Sequence, residues 1–392
     1  MQFRSIHPFP ARMAPELALG ALARLPKQSI VLDPMSGSGT VLRQAVELGH
    51  RAIGFDVDPL AVLMARVWTT PIDQATLAWE CDRVIKEARC VDLRTQRLPW
   101  VDIETADFMK YWFGDFQRRD LQRIAYVLYA RRKANLGERR RAAVNALMVA
   151  LSRIVVTKDQ GASLARDTSH SRPHKVAEKS DYDVFSGFER SATALGIRLE
   201  PTFSGSAAVD FGDARRVLLK PGTVDSVLTS PPYLNAIDYM RGHRLALIWL
   251  GYPLKQLRAI RSSSIGTERA CSASDKQRKD VSTAMLGDAK VADRLRLMVQ
   301  RYAGDLILMM SEISRVLRKT GGATIVVGNS CLKDTFIQNA EGVRLAGAMA
   351  DLDLIDMSER DLPSNSRYLP ITASGALSKR MRTEVVLTFC KQ

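Results

Sequence analysis

Residues 29–56, SIVLDPMSGSGTVLRQAVELGHRAIGFD, decide the fold. Ser29–Asp33 is a short apolar run ending in an acid, the pattern of a strand buried on both faces in a parallel sheet. A turn of small residues follows, then a helical stretch from Thr40 to Leu48 with Gly49 as its stop. Arg51–Asp56 is a second apolar run, again closed by an acid. Strand, turn, helix and strand make a βαβ unit. Gly37 and Gly39 let the backbone turn tightly and approach a ligand, and the helix amides behind them point at its anionic end. Asp56, at the end of the second strand, stands where an acid accepts hydrogen bonds from ribose hydroxyls in dinucleotide folds. The turn lacks the Gly-Lys-Ser/Thr ending of a phosphate-cradling P-loop.

Outward from this unit the chain divides into three stretches. Residues 1–70 open a nucleotide-binding α/β fold. Residues 71–203 read as mostly helical and basic, with helices over Ile72–Arg89 and Arg118–Arg153 and a long polar loop over Thr157–Asp183. Residues 204–392 resume the α/β pattern. Seven candidate strands lie near residues 31, 53, 209, 226, 325, 354 and 387. A further helix reads over Leu306–Leu317. The fold class is therefore α/β with a helical insertion.

Lys and Arg number 57 against 42 Asp and Glu, a net charge of +15. Such a surplus favours a polyanionic partner, since Lys and Arg neutralise phosphates and release condensed counterions. The insertion concentrates it in Arg131, Arg132, Lys133, Arg139, Arg140 and Arg141. The five cysteines include no C-x-x-C pair, and an odd count argues against a closed disulfide framework. No apolar run approaches the ~20 residues of a membrane span. The opening MQFRSIHPFPARM lacks the apolar core of a signal peptide. The expectation is a cytoplasmic protein with no membrane partner.

A second motif, Thr229-Ser230-Pro231-Pro232-Tyr233, follows the strand Val224–Leu228. Two prolines stiffen a turn at the carboxyl end of a parallel strand, where ligands bind in open α/β sheets. Together, Asp33-Pro34-Met35-Ser36-Gly37-Ser38-Gly39-Thr40 and Ser230-Pro231-Pro232-Tyr233 resemble the cofactor and catalytic motifs of the amino-methyltransferases of DNA. The likeness covers about half of the chain, and Met35 stands where the family usually has an aromatic residue. His7-Pro8-Phe9-Pro10-Ala11-Arg12-Met13 resembles the family's segment over the methionine end of the cofactor. Gly212-Asp213-Ala214 resembles the element whose acid reaches the adenine amino group.

The resemblance implies a Rossmann-like class I methyltransferase with a seven-stranded, mostly parallel sheet and a reversed final strand. It implies S-adenosylmethionine as cofactor, held by Phe9, Pro10, Arg12, Met13, Asp33, Pro34, Ser36, Gly37, Ser38, Gly39, Thr40, Asp56, Asp213 and Ala214. Ser230, Pro231, Pro232 and Tyr233 would hold a base flipped out of double-stranded DNA. Serine in the first catalytic position points to the N4 amine of cytosine; the N6 amine of adenine stays open, as do an RNA base and a non-catalytic DNA-binding subunit. A restriction endonuclease is a candidate partner, and oligomeric state is not legible. A carbon-5 cytosine enzyme would need a thiolate, usually after a proline, and no cysteine here follows one. The basic runs, with His170 and Arg172 in the polar loop, are the expected DNA contacts. His170 and His174 have helical metal spacing, but Pro173 lies between them and no carboxylate or thiolate cluster joins them; no metal is expected. Phe108, Tyr111, Trp112, Phe113 and Phe116 read as core packing.

Overall fold

The computed structural model describes residues 5–7, 13, 15–157, 160–166, 173–200, 202–234, 238–266, 273–332, 335–361 and 383–392. Its principal strands are β1 (Ile30–Asp33), β2 (Arg51–Asp56), β3 (Ser206–Phe211), β4 (Val224–Thr229), β5 (Leu317–Gly328), β6 (Leu352–Asp361) and β7 (Thr383–Lys391). The helices run α1 (Pro15–Leu22), α2 (Thr40–Glu47), α3 (Pro59–Thr69), α4 (Gln74–Arg89), α5 (Ile103–Trp112), α6 (Asp115–Lys133) and α7 (Glu138–Val155). They continue with α8 (Val184–Gly196), α9 (Tyr239–Leu247), α10 (Leu254–Ser263), α11 (Asp275–Leu286), α12 (Asp293–Val316) and α13 (Asn339–Met349).

Leu32 of β1 lies opposite Ile53 of β2 and Val227 of β4, so the two motif-bearing strands are parallel neighbours. The seven-stranded sheet runs β6-β7-β5-β4-β1-β2-β3. All its pairings are parallel except those of β7, which runs against both β5 and β6. Each strand expected from sequence takes part, and the reversed one is the last. Parallel strands send their carboxyl ends to one edge, where Asp33, Asp56, Phe211 and Thr229 close β1 to β4. Between β1 and α2, Gly39 adopts φ 91°, a left-handed conformation that favours glycine. The 24-residue α12, of which sequence patterning captured the second half, buries Met309, Met310 and Ile313 beside Ile325, Val327 and Leu387 of the sheet.

By its contacts the chain forms two compact units. The sheet belongs to one, made of 13–57, 204–237 and 261–392. The other comprises 1–12, 58–203 and 238–260, and its described residues are helical apart from an antiparallel pairing of Ala165–Arg166 with His174–Lys175. The main segment of the helical unit thus starts at Asp58, ahead of the boundary drawn at 71, and the unit also takes in residues 1–12 and α9. The reason is packing: α3 buries Leu60, Met64, Val67 and Trp68 in the same core as Leu245, Leu247 and Trp249. The stretch read as one helix over Arg118–Arg153 is two, because Ala134 turns extended and Gly137 caps a new start. The aromatic group divides too. Trp112 and Phe113 are core, with Phe113 edge-on to Trp249 at 5.0 Å, whereas Tyr111 is exposed and Phe116 is 75% exposed.

The basic runs need a correction. Glu80 on α4 is fully buried and receives both Arg131 of α6 and Arg140 of α7, while Arg131 also reaches Glu87 at 2.6 Å. Arg131 is buried, so it is a core group and not a DNA contact; Arg140 is likewise held by Glu80 and by the Trp79 ring at 5.1 Å. The rest of the two runs, Arg132, Lys133, Arg139 and Arg141, is exposed around the α6–α7 turn. A buried acid shared by two guanidiniums matters mainly when it is broken, because the partners are left charged and unpaired. Glu80→Ala should lower unfolding free energy by about 3–5 kcal/mol in urea titration, against a smaller loss for Glu80→Gln. A loss under ~1 kcal/mol would show that the arginines find water or other partners instead.

Candidate active site

The glycine turn after β1 is fastened to the end of β2. Ser36 donates its backbone N–H to the Phe55 carbonyl at 2.9 Å, and Gly37 donates to Asp56 Oδ2 at 2.8 Å. The acid expected at a ribose thus also braces the turn, and it has further interactions. Asp33 is buried at the end of β1, where its Oδ1 accepts the Thr229 hydroxyl at 2.7 Å and the Met35 N–H at 3.2 Å. This contact joins the start of the glycine turn to the start of the Ser-Pro-Pro-Tyr loop. Burial, opposed by Thr229 and Met35 and aided by the Asp56 charge, pushes the Asp33 carboxyl up to about 7.

The Ser-Pro-Pro-Tyr loop leaves the same edge one strand over. Pro231 is buried, while Ser230, Pro232 and Tyr233 are half-buried. Burial and the Glu384 charge push the Tyr233 phenol up to about 12, against the Ser230 hydroxyl and the Gly328 backbone. Gly328 lies opposite Glu384 in the β5–β7 register, and the Arg360 paired with Glu384 offsets part of that acid's push on the phenol. Behind the loop, the Tyr302 hydroxyl donates to the Pro232 carbonyl at 2.9 Å and Ser330 Oγ donates to the Leu234 carbonyl at 2.8 Å.

At the end of β3, Asp213 is gripped by Arg215, whose Nε and Nη2 reach its two oxygens at 2.9 and 2.6 Å. The fold therefore gathers Asp33, Pro34, Ser36–Thr40, Asp56, Asp213, Ala214 and Ser230–Tyr233 at the carboxyl ends of β1 to β4. Met13 is buried in the sheet unit. Phe9, Pro10, Arg12, His170 and Arg172 lie outside the described residues.

Two hydroxyls in the turn bear on what the site holds. Ser36 Oγ and Ser38 Oγ are buried and find no hydrogen-bond partner among the described residues. Buried polar groups in folded proteins are nearly always paired, so the turn suits a ligand end carrying donors and acceptors. Sequence reading quoted Thr229 in the second motif without giving it a role, and passed over Arg215, Tyr302 and Asp305. A signal existed for Asp305, an acid on a helix stretch of otherwise apolar character with Leu306, Met309 and Met310. Another existed for Arg215, two residues from the acid it grips.

No family model matches the chain. Among curated proteins it is similar to type II methyltransferases. It is 24% identical over 323 residues to the type II methyltransferase M.BsoBI of Geobacillus stearothermophilus, covering 75% of this chain and 60% of that protein. Over 63 residues it is 40% identical to M.MjaII of Methanocaldococcus jannaschii, covering 16% and 12% of the two chains. The chain thus spans less than two thirds of the length of either relative. Against a solved S-adenosylmethionine-dependent methyltransferase of Methanosarcina mazei the identity is 9% and the TM-score 0.33, over 97% of this chain and 99% of that one.

A raised carboxyl pKa has a definite sign for stability. Asp33 contributes most below its ordinary 3.8 and loses that contribution as pH rises through about 7. Asp33→Asn keeps an acceptor for Thr229 and cannot ionise. Its melting temperature, compared with that of the unsubstituted protein, should therefore improve steadily from about pH 4 to about pH 7 and level off above. A difference that stays flat across this window would show that Asp33 is already ionised at the lower end.

Proposed function

We propose that this protein transfers the methyl group of S-adenosylmethionine to the exocyclic N4 amine of cytosine in double-stranded DNA. The observation that carries the reading is the Asp33–Thr229 hydrogen bond, which seats the cofactor-type turn and the Ser-Pro-Pro-Tyr loop on adjoining strand ends. The similarity to type II methyltransferases supports the methyl transfer. The net charge of +15 and the exposed cations of the α6–α7 turn support a nucleic-acid substrate.

The turn Asp33–Thr40 with Ser36 and Ser38 would hold the methionine end of the cofactor, Asp56 its ribose, and Asp213 with Ala214 its adenine. Bound there, the cofactor supplies a sulfonium methyl, an electrophile that needs no metal. The amine of a base is a weak nucleophile because its lone pair is spread into the ring. Ser230 Oγ and the Pro231 carbonyl accept hydrogen bonds from the amine, which localises electron density on nitrogen. The two prolines hold these acceptors stiffly, so little reorganisation remains at the moment of attack. As the methyl carbon passes from sulfur to nitrogen, its bond to sulfur would break and leave a neutral thioether, and one amine proton would be led along the hydrogen bonds to Ser230 and Pro231 and released to water. The base must leave the duplex first, at a cost of a few kcal/mol. Tyr233 and the walls of the loop receive it, and Arg132, Lys133, Arg139 and Arg141 neutralise phosphates.

Mass analysis of nucleosides from DNA treated with the protein and isotopically labelled cofactor should show N4-methylcytosine. Labelled N6-methyladenine would overturn the base assignment, and unlabelled DNA would overturn the reading as a whole. Ser230→Ala should slow turnover about a hundredfold, the scale of losing one preorganised hydrogen-bonding group, with cofactor affinity unchanged. Replacing Arg132, Lys133, Arg139 and Arg141 by Ala should flatten the salt dependence of DNA binding by roughly 0.9 in log–log slope for each phosphate no longer neutralised. An unaltered slope would remove the α6–α7 turn from the DNA interface.

A further inference from the structure

Both prolines of the loop lack a backbone N–H, so at these two positions the backbone can be held only through its carbonyls. Tyr302 on α12 takes the carbonyl of Pro232, next to the one assigned to the target amine, at 2.9 Å. Tyr302 is fully buried, so this polar contact is made inside a core that a phenylalanine would fill equally well. Burial and the neighbouring Tyr233 and Asp305 push its phenol upward, which keeps it a donor.

One turn further along α12, Asp305 is 2% exposed. Its Oδ1 accepts from Arg215 Nη1 at 2.7 Å, and its Oδ2 accepts the Gly266 N–H at 2.8 Å. The far side of the same guanidinium grips Asp213, and Nη2 also reaches the Ser263 carbonyl at 2.5 Å. A guanidinium is a planar fork, so holding it at one end aims whatever is bound at the other. Residues three apart on a helix share a face. One rigid helix therefore touches the back of the catalytic loop and, through Arg215, the acid at the end of β3.

Resting on the function proposed above, we propose that Tyr302 and Asp305 are positioning residues, which set the Ser-Pro-Pro-Tyr loop and the cofactor-facing Asp213 from a common helix. They touch neither cofactor nor base. Their contributions separate: Tyr302 acts on the methyl-transfer step, and Asp305, through Arg215 and Asp213, acts on cofactor affinity.

The test measures two quantities on the full chain. One is the S-adenosylmethionine dissociation constant by calorimetric titration; the other is turnover on unmethylated DNA of mixed sequence at saturating cofactor. Tyr302→Phe should slow turnover about tenfold, the factor for one hydrogen bond, and leave the dissociation constant as it was. Asp305→Asn should raise the dissociation constant about tenfold, with turnover recovered at saturating cofactor. Arg215→Lys keeps the charge but loses the fork, and should follow Asp305→Asn; it serves in place of that variant if its fold is compromised. Changes confined to the same parameter in both variants, or to neither, overturn the proposal. If the unsubstituted protein binds cofactor yet methylates no DNA, the proposed function falls. Cofactor affinity in Asp305→Asn then decides the Asp305 half alone, and a dissociation constant equal to the original overturns it.

Discussion

A hydroxyl and a carboxyl 196 residues apart in sequence, Thr229 and Asp33, meet at 2.7 Å where two parallel strands end. Closing so long a loop costs entropy that a single hydrogen bond does not repay. The strands β1 and β4 bring the ends together by pairing, and the contact then sets their loops to a fixed separation. The Asp33 side chain is taken out of water to make that bond, and burial alone raises its pKa more than its two hydrogen bonds lower it. The junction between the loops is therefore also a titratable group poised near neutrality.

Three strand-end acids sit on this edge, and the fold treats each differently. Asp33 takes a neutral hydroxyl, Asp56 the Gly37 amide, and Asp213 a guanidinium. A cationic ligand would meet a graded set of carboxyls here, because Asp213 shares the Arg215 guanidinium with Asp305, whereas Asp33 meets no cation among the described residues. Charge–charge repulsion between Asp33 and Asp56 adds to this grading. Identical side chains at equivalent strand ends thus acquire separate electrostatic roles from the partners the topology delivers.

Much of this frame was legible. Apolar runs closed by acids located β1 and β2, and the glycine turn and Pro-Pro-Tyr loop marked their edge, because these signals are local and periodic. The fate of the cations was not legible from composition, since inward and outward arginines look alike in a run. Periodicity distinguishes one of them: Leu121, Ile124 and Leu128 form a stripe that Arg131 continues, and Arg131 is buried against Glu80. Arg140 had no such marker, and its pairing depends on where α4 presents Glu80. Tyr302, Asp305 and Arg215 escaped for a related reason. The contacts Tyr302–Pro232 and Arg215–Asp305 span 70 and 90 residues, so the local marks at Asp305 and Arg215 flag the residues without naming these partners.

The electrostatics of the edge also bear on the residue that opens the Ser-Pro-Pro-Tyr loop. Ser230 follows Thr229, whose hydroxyl is committed to Asp33, and it neighbours a phenol that Glu384 already pushes upward. A carboxylate at 230 would join an edge that holds Asp33, Asp56 and Asp213, and would further raise the Tyr233 phenol and the Asp33 carboxyl. Its ionised form would lose stability with every such neighbour. A serine accepts hydrogen bonds there without adding charge, which leaves Asp33 free to respond to a bound cation. The neutral hydroxyl is thus the group this particular arrangement of acids tolerates best, and the amine it is proposed to hold is recognised by hydrogen-bond acceptance without charge.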